Sequence, residues 1–196
     1  MLTEPTLTRR AFVKVGQERS DVAVLGPVVR NADGTIYESG RGFPSVGQAI
    51  GHAFLGPFAP ANRFSRNYRQ VGWDRLSERE VDWVSGAAML VRRKAFEDVA
   101  RFDENFWLYG EELDLATRLH EAGWKVLYTP ELEIVHEGAV STGRSRTTHR
   151  MHSASIYRYY ATHRASGWRR ATLPLAWLAL RARAEIVALR DRVAAR

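Results

Sequence analysis

The chain of 196 residues contains no cysteine, which excludes disulfides and thiolate metal sites and fits a reducing compartment. It has no run of roughly 18 apolar residues of the kind that crosses a bilayer. Its first residues, MLTEPTLTRRAFVKVGQERSD, hold no apolar core resembling a secretory signal. A cytoplasmic location is therefore expected. No Gly-rich phosphate loop follows a strand, no Asp-x-Asp triplet occurs, and there is neither an internal repeat nor a low-complexity tract. A complete doubly wound nucleotide fold is thus not legible.

What is present is a globular composition: 45% hydrophobic and 26% charged residues, enough to bury one core and too apolar for wholesale disorder. The net charge is +7, mostly from arginine, and suits an anionic partner such as nucleic acid, an acidic membrane or a phosphorylated substrate. No nucleic-acid-binding motif accompanies the charge, so nucleic acid ranks last among these. The charge is segregated. Glu97 to Glu137 is acid-rich and Arg144 onward is basic.

Periodicity predicts a short helix over residues 5–20 broken by Gly16, then a buried strand over Asp21–Val29. A turn at Asn31–Gly34 leads to a second short strand. Residues 40–80 read as a long loop with one helix near Ser45–Leu55. Val81–Val91 is a second apolar run with small residues at its centre, and Arg92–Val99 a short helix. A helix starting at Gly110–Glu111 places Leu115, Leu119 and Ala122 on one face, with Gly123 as its C-cap. Lys125–Thr129 is a strand stopped by Pro130, Leu132–His136 another, and the chain is helical from Ser153 with an interruption at Pro174. The fold class is α/β or α+β with a small mixed sheet. The expected division is a domain over residues 1–165 and a basic amphipathic tail over residues 166–196.

The most informative segment is Trp107-Leu-Tyr-Gly-Glu-Glu-Leu-Asp-Leu115. Glu111, Glu112 and Asp114 crowd into the first turn of a helix, which raises the pKa of at least one of them and provides a candidate general base. Acids in that position also offset the helix dipole, so spacing alone leaves a capping role open. His136 at a strand end is a candidate metal ligand or a satisfied structural histidine. Trp83, Ser85 and Gly86 would let a ligand approach the backbone, or simply pack. Arg144 and Arg146, in a polar segment, suit bidentate phosphate contacts or a solvated loop. The tail mixes Trp168, Trp177 and leucines with arginines, as helices lying on anionic membranes do, or as a helix packed on the domain with a basic outer face does.

An ordered series carries more. Val81-Asp-Trp-Val-Ser-Gly-Ala-Ala-Met-Leu-Val-Arg-Arg-Lys-Ala-Phe96, Phe102-Asp-Glu, Tyr109-Gly-Glu-Glu-Leu-Asp-Leu, Ala122-Gly-Trp-Lys-Val and Val135-His together resemble the C-terminal half of family-2, GT-A-type inverting glycosyltransferases. Phe43-Pro-Ser45, His52-Ala-Phe-Leu-Gly-Pro-Phe58, Tyr68-Arg-Gln70, Ser141-Thr-Gly-Arg144 and Ser166-Gly-Trp168 resemble the actinobacterial rhamnosyltransferases of that family that act on a lipid-linked sugar. The resemblance covers the chain until about Trp168 and implies a partial GT-A fold without its nucleotide-binding half. It implies sugar transfer with inversion, from a nucleotide sugar such as dTDP-rhamnose to polyprenyl-diphosphate-linked GlcNAc, and Mg2+ or Mn2+ with His136 as a ligand. Glu112 would be the base; Glu111 and Asp114 would orient it or touch the acceptor; Trp83, Ser85, Gly86, Tyr109, Arg144 and Arg146 would bind substrate. The family usually has Glu-Asp at the acidic pair where this chain has Glu-Glu, a displacement of about one ångström, which in an active site can cost on the order of a hundredfold in rate. The location becomes peripheral on the inner membrane face. A separately encoded donor-binding half, or a non-catalytic module that binds a membrane surface or glycan lipid, are the alternatives.

Overall fold

A computed structural model describes residues 5–59, 61–137 and 145–194. Its elements are α1 (Pro5–Glu18), β1 (Val22–Arg30), β2 (Ile36–Tyr37), β3 (Gly40–Arg41), α2 (Val46–Leu55), α3 (Arg63–Tyr68), β4 (Arg79–Val81), β5 (Trp83–Val84), β6 (Leu90–Val91), α4 (Arg93–Asp98), α5 (Glu111–Glu121), β7 (Lys125–Val135), α6 (Arg146–Tyr159) and α7 (Leu173–Ala194). A π turn (Tyr160–Arg164) and a 3-10 helix (Gly167–Thr172) join α6 to α7.

The expected small mixed sheet with flanking helices is present, consistent with a partial GT-A-like fold. β1 is its centre. Eight of its nine residues are buried, which is why it reads as a continuous apolar run rather than an alternating one. β7 lies parallel along one edge of β1, with β4 antiparallel beyond it; β2 and β6 share the other edge, both antiparallel. β3 and β5 form a separate antiparallel pair. The core between the sheet and α5 holds Val24, Val28, Trp83, Val84, Leu115, Leu119, Val126 and Tyr128.

Several elements differ from expectation. α1 runs through Gly16 unbroken; its missing side chain admits Leu90 and Leu25, which would sit 3.2 and 3.5 Å from a Cβ there. The two strands expected around Pro130 are one, β7, whose pairing with β1 jumps from Pro27↔Thr129 to Val28↔Glu133. Proline has no N–H to give a ladder, so a prolyl strand stays continuous by taking up an irregularity at the proline. Residues 40–80 are more ordered than a loop. Ser45 and Gln48 close a capping box on α2, Asn62 caps α3, and the buried Arg75 binds the carbonyls of Gly40 (2.6 Å), Arg69 (2.5 Å) and Gln70 (3.2 Å). The run from Val81 splits into β4, β5 and β6; the break between β5 and β6 follows Ser85, whose Oγ accepts from Ala87 N–H at 3.4 Å. Pro174 starts α7 rather than interrupting a helix, since the first turn needs no proline N–H. α5 ends as expected: Gly123 is left-handed (φ 84°), and Gly123 and Trp124 donate to His120 and Leu119 carbonyls.

Candidate active site

Sequence and backbone together build the start of α5. Tyr109 (φ 63°) and Gly110 (φ 91°) are both left-handed, and such strain in a non-glycine residue is characteristic of functional sites. The two residues turn the chain sharply into the helix. α6 clamps this approach: Ser155 Oγ donates to the Leu108 carbonyl (2.9 Å), Arg158 pairs with Asp103 (2.7 Å) and covers Phe106, and the Tyr109 ring meets His152 edge-on at 5.1 Å. Gly110 has no side chain to cap the helix. The Glu112 carboxylate serves instead, its Oε2 accepting from Gly110 N–H at 3.2 Å.

The three acids then take different positions. Asp114 is 2% exposed, with Oδ2 bound by Arg118 (2.6 and 2.9 Å) and Oδ1 by His163 (2.7 Å). Burial alone would raise its pKa; the His163 and Arg118 hydrogen bonds outweigh it and hold the carboxyl below its usual value. Glu111 is pushed up, first by burial and then by the neighbouring Glu112 charge, and its buried Oε2 has no hydrogen-bond partner among the described residues. Glu112 is half-buried like Glu111, but its carboxylate is anchored at one oxygen. Gly86 lies beside it, where a Cβ would stand 3.9 Å from Glu112 Oε1, so the absent side chain leaves that flank of the carboxylate open.

Trp83, Ser85 and Gly86 lie on and just after β5. Trp83 is buried, its indole N–H on the Gly42 carbonyl at 3.2 Å, and Ser85 N–H donates to Ser39 O at 2.9 Å. Sequence reasoning missed Arg41. It stacks against Trp83 (5.0 Å), Tyr37 and Tyr68 (both 5.5 Å) and donates to Tyr37 Oη at 2.6 Å. Burial works against its charge, but Tyr68, Tyr37 and Glu112 keep its pKa raised. It therefore provides a fixed cation whose field reaches Glu112. His163 was missed as well; no motif marks either residue, since Trp83 and Tyr68 reach Arg41, and Asp114 reaches His163, from far along the chain.

Other expected residues lie apart. Arg146 is on the first turn of α6, paired at 2.6 Å with Glu185 of α7, which Arg150 also binds. Arg144 lies outside the described residues. His136 is exposed just past β7, its N–H on the Arg30 carbonyl at 2.8 Å. Among the described residues no three His, Asp or Glu side chains gather as a metal site needs.

The sequence model of glycosyl transferase family group 2 matches residues 61–192, which include the whole acidic cluster and β7. The chain belongs to this family. Among family relatives, N-acetylglucosaminyl-diphospho-decaprenol L-rhamnosyltransferase of Mycobacterium tuberculosis (strain H37Rv) is 47% identical over 156 residues, 78% of this chain and 49% of that protein. Rhamnosyltransferase WbbL of Escherichia coli K12 is 38% identical over 90 residues, 45% of this chain and 34% of the relative. O-antigen biosynthesis protein RfbC of Myxococcus xanthus is 27% identical over 149 residues, 75% of this chain and 11% of the relative. The chain spans about half the length of the mycobacterial relative. No helix among the described residues of this family-2 chain is long and apolar enough to cross a membrane.

Proposed function

We propose that the chain is the acceptor-side part of an inverting rhamnosyltransferase, moving rhamnose from a nucleotide donor such as dTDP-rhamnose to GlcNAc on a polyprenyl diphosphate. Supporting this are the family and the 47% identity to the mycobacterial N-acetylglucosaminyl-diphospho-decaprenol L-rhamnosyltransferase. The observation that carries the site is Glu112, a half-buried carboxylate anchored to Gly110 N–H and open on its Gly86 side. In this reading Glu112 takes the proton from the acceptor hydroxyl as that oxygen attacks the anomeric carbon and the nucleoside diphosphate leaves from the opposite face. Asp114, saturated by Arg118 and His163, positions the helix rather than touching substrate; Glu111 sits behind Glu112. Ser85, Gly86 and Tyr109 border the acceptor sugar, and Trp83 backs it.

The test is transfer of labelled rhamnose from dTDP-rhamnose into a GlcNAc-diphosphate lipid. Glu112→Gln is expected to lose about a hundredfold or more, the range of general-base contributions. Turnover that survives this change removes the assignment. Mg2+ or Mn2+, with His136 as this chain's single contribution, is a further proposal; His136→Ala should then raise the metal concentration needed for half-maximal turnover, and an unchanged requirement excludes it.

A second observation supports a place on the inner membrane face. α7 is apolar on two sides. Leu180, Ala184, Val187 and Ala188 are buried, whereas Leu175, Leu178, Ile186, Leu189 and Val193 recur at helical spacing and are exposed. Arg181 and Arg192 are exposed on the same helix. Such a stripe edged with arginine suits an anionic bilayer surface. Co-sedimentation with anionic vesicles should be lost in Leu178→Glu/Leu189→Glu, and unchanged co-sedimentation would count against it.

A further inference from the structure

A cleft of about 530 Å³ opens between α2, the end of α6 and the start of α7, a size that holds a drug-sized ligand. Its walls are almost wholly hydrocarbon, including Ile50 and Phe54 from α2, Ile156 from α6, and Ala176 and Ala179 from α7. At its mouth Ile50, Trp168 and Leu175 are 56%, 78% and 69% exposed. An apolar cleft of this kind normally carries one or two polar groups that fix orientation. Here the charged ones are Arg164 and Arg169, beside the hydroxyl groups of Tyr159, Tyr160 and Thr172.

Arg164 narrows the choice of occupant. It ends the π turn, an irregularity common at functional sites. One Nη donates to Tyr159 Oη (3.2 Å) and the guanidinium lies over Phe43 and Tyr159 (both 5.8 Å), which holds the cation in place at this end of the cleft. The Arg164 and Arg169 side chains line walls that are otherwise almost wholly hydrocarbon. An uncharged hydrocarbon would set these cations against an apolar chain with no counter-charge, and a free phosphate would leave the apolar walls wet. An amphiphile with an anionic head meets both demands. Position fixes which way round it lies. The residue before Arg164 is His163, hydrogen-bonded to Asp114 at 2.7 Å, so the arginine end of the cleft abuts the acidic start of α5. The opposite end leaves past Trp168 and Leu175, where the exposed stripe of α7 begins.

We propose that this cleft takes the first isoprene units of the acceptor's polyisoprenoid chain, with Arg164 and Arg169 receiving its diphosphate. The inference rests on the rhamnosyltransferase reading for its choice of lipid. It makes the cleft the element that delivers the acceptor sugar to Glu112 while the rest of the lipid continues into the bilayer along α7.

The test is calorimetric titration of the full chain with farnesyl diphosphate, farnesol and inorganic diphosphate, none of which requires turnover. Farnesyl diphosphate should bind at least about tenfold more tightly than either fragment. Leu175→Glu, at an exposed position that the fold tolerates, should weaken it about tenfold or more, as should Ala176→Trp, which fills the cleft. Arg164→Gln should erase the advantage over farnesol and leave farnesol binding as it was. Equal binding of inorganic and farnesyl diphosphate, undiminished binding in both Leu175→Glu and Ala176→Trp, or no binding of farnesyl diphosphate would each overturn the proposal. So would self-association of the chain that Leu175→Glu abolishes without any farnesyl diphosphate binding, because a second copy would then be the occupant. Binding that behaves as expected alongside absent sugar transfer would leave the cleft assignment standing and remove the enzymatic one.

Discussion

Replacing Asp114 by alanine tests whether the acidic cluster rests on a buried ion network. Asp114 is 2% exposed and accepts from Arg118 at 2.6 and 2.9 Å and from His163 at 2.7 Å, while Arg118 also reaches the Val99 carbonyl near the end of α4. Removing one partner of a buried pair costs about 3–5 kcal/mol, mostly because a charge is stranded. The Arg118 side chain is 22% exposed and can recover some hydration, so the low end, about 3 kcal/mol, is expected. For a chain of this size that corresponds to a fall in Tm of roughly 6–12 °C. Asp114→Asn should cost less, about 1–2 kcal/mol, since its carbonyl still accepts from Arg118 and its amide can donate to a neutral His163. The pH dependence has a defined sign. A carboxyl whose folded pKa lies below the unfolded 3.8 contributes fully above that value and loses its contribution as pH falls through the folded value. The gap between wild type and Asp114→Ala should therefore be constant near neutrality and close below pH 3.8. Urea unfolding followed by tryptophan fluorescence at pH 7 measures it. An Asp114→Ala variant within about 1 kcal/mol of wild type at equal m-value would refute the reasoning.

Glu112→Asp should lower transfer by about tenfold or more although it restores the usual family residue, because the shorter side chain gives up the Gly110 N–H contact around which this start of α5 is built; the rate relative to wild type checks it. Gly86→Ala should leave Tm unchanged, its Cβ meeting nothing nearer than 3.9 Å, yet reduce kcat/KM by crowding Glu112. Gly26→Ala should do the reverse work on stability: its Cβ would lie 2.5 Å from Val84 Cγ1, and overpacking of that kind costs about 1–3 kcal/mol in urea unfolding. His152 is pushed down to about 4 by burial, then by Arg183, His52 and His149, from an ordinary 6.5. Below pH 6.5 the unfolded chain takes up this proton and the folded chain does not until about pH 4, so stability falls across that window. Wild type should lose about 2 kcal/mol more than His152→Gln between pH 7 and pH 5, and parallel pH profiles would count against the burial of a neutral imidazole.

The parts of the fold legible in the sequence are those that local chemistry dictates. β1 is an unbroken apolar run, α5 has an apolar face and a glycine C-cap, and Ser45 with Gln48 announces α2. The parts that were not legible depend on partners distant in the chain. Arg75 turns a segment that looks like loop into structure by binding three carbonyls, two of them close in sequence and one 35 residues away. β7 stays one strand across Pro130 by bulging there, passing from Thr129 to Glu133 against the consecutive Pro27 and Val28 of β1. The same division holds in the site. Three acids in one helical turn are visible as a cluster, but their sorting comes from elsewhere: His163 claims Asp114 from 49 residues downstream, and Gly86 leaves Glu112 its open flank from the turn after β5.

That sorting changes what the Glu-Glu pair means. Read as a string, the second glutamate is an aspartate made one methylene too long. In the fold the extra reach is used, because it lets the Glu112 carboxylate turn back to cap the Gly110 N–H where a glycine offers no side chain. Holding one oxygen there fixes the other on the Gly86 side, while Arg41, caged by Tyr37, Tyr68 and Trp83, supplies an unmoving positive field. A base needs an anchored carboxylate with one free approach, and preorganised surroundings that need not rearrange as charge moves. The left-handed pair Tyr109 and Gly110 presents the N–H that the Glu112 carboxylate accepts from, so the glutamate finds an anchor in this backbone.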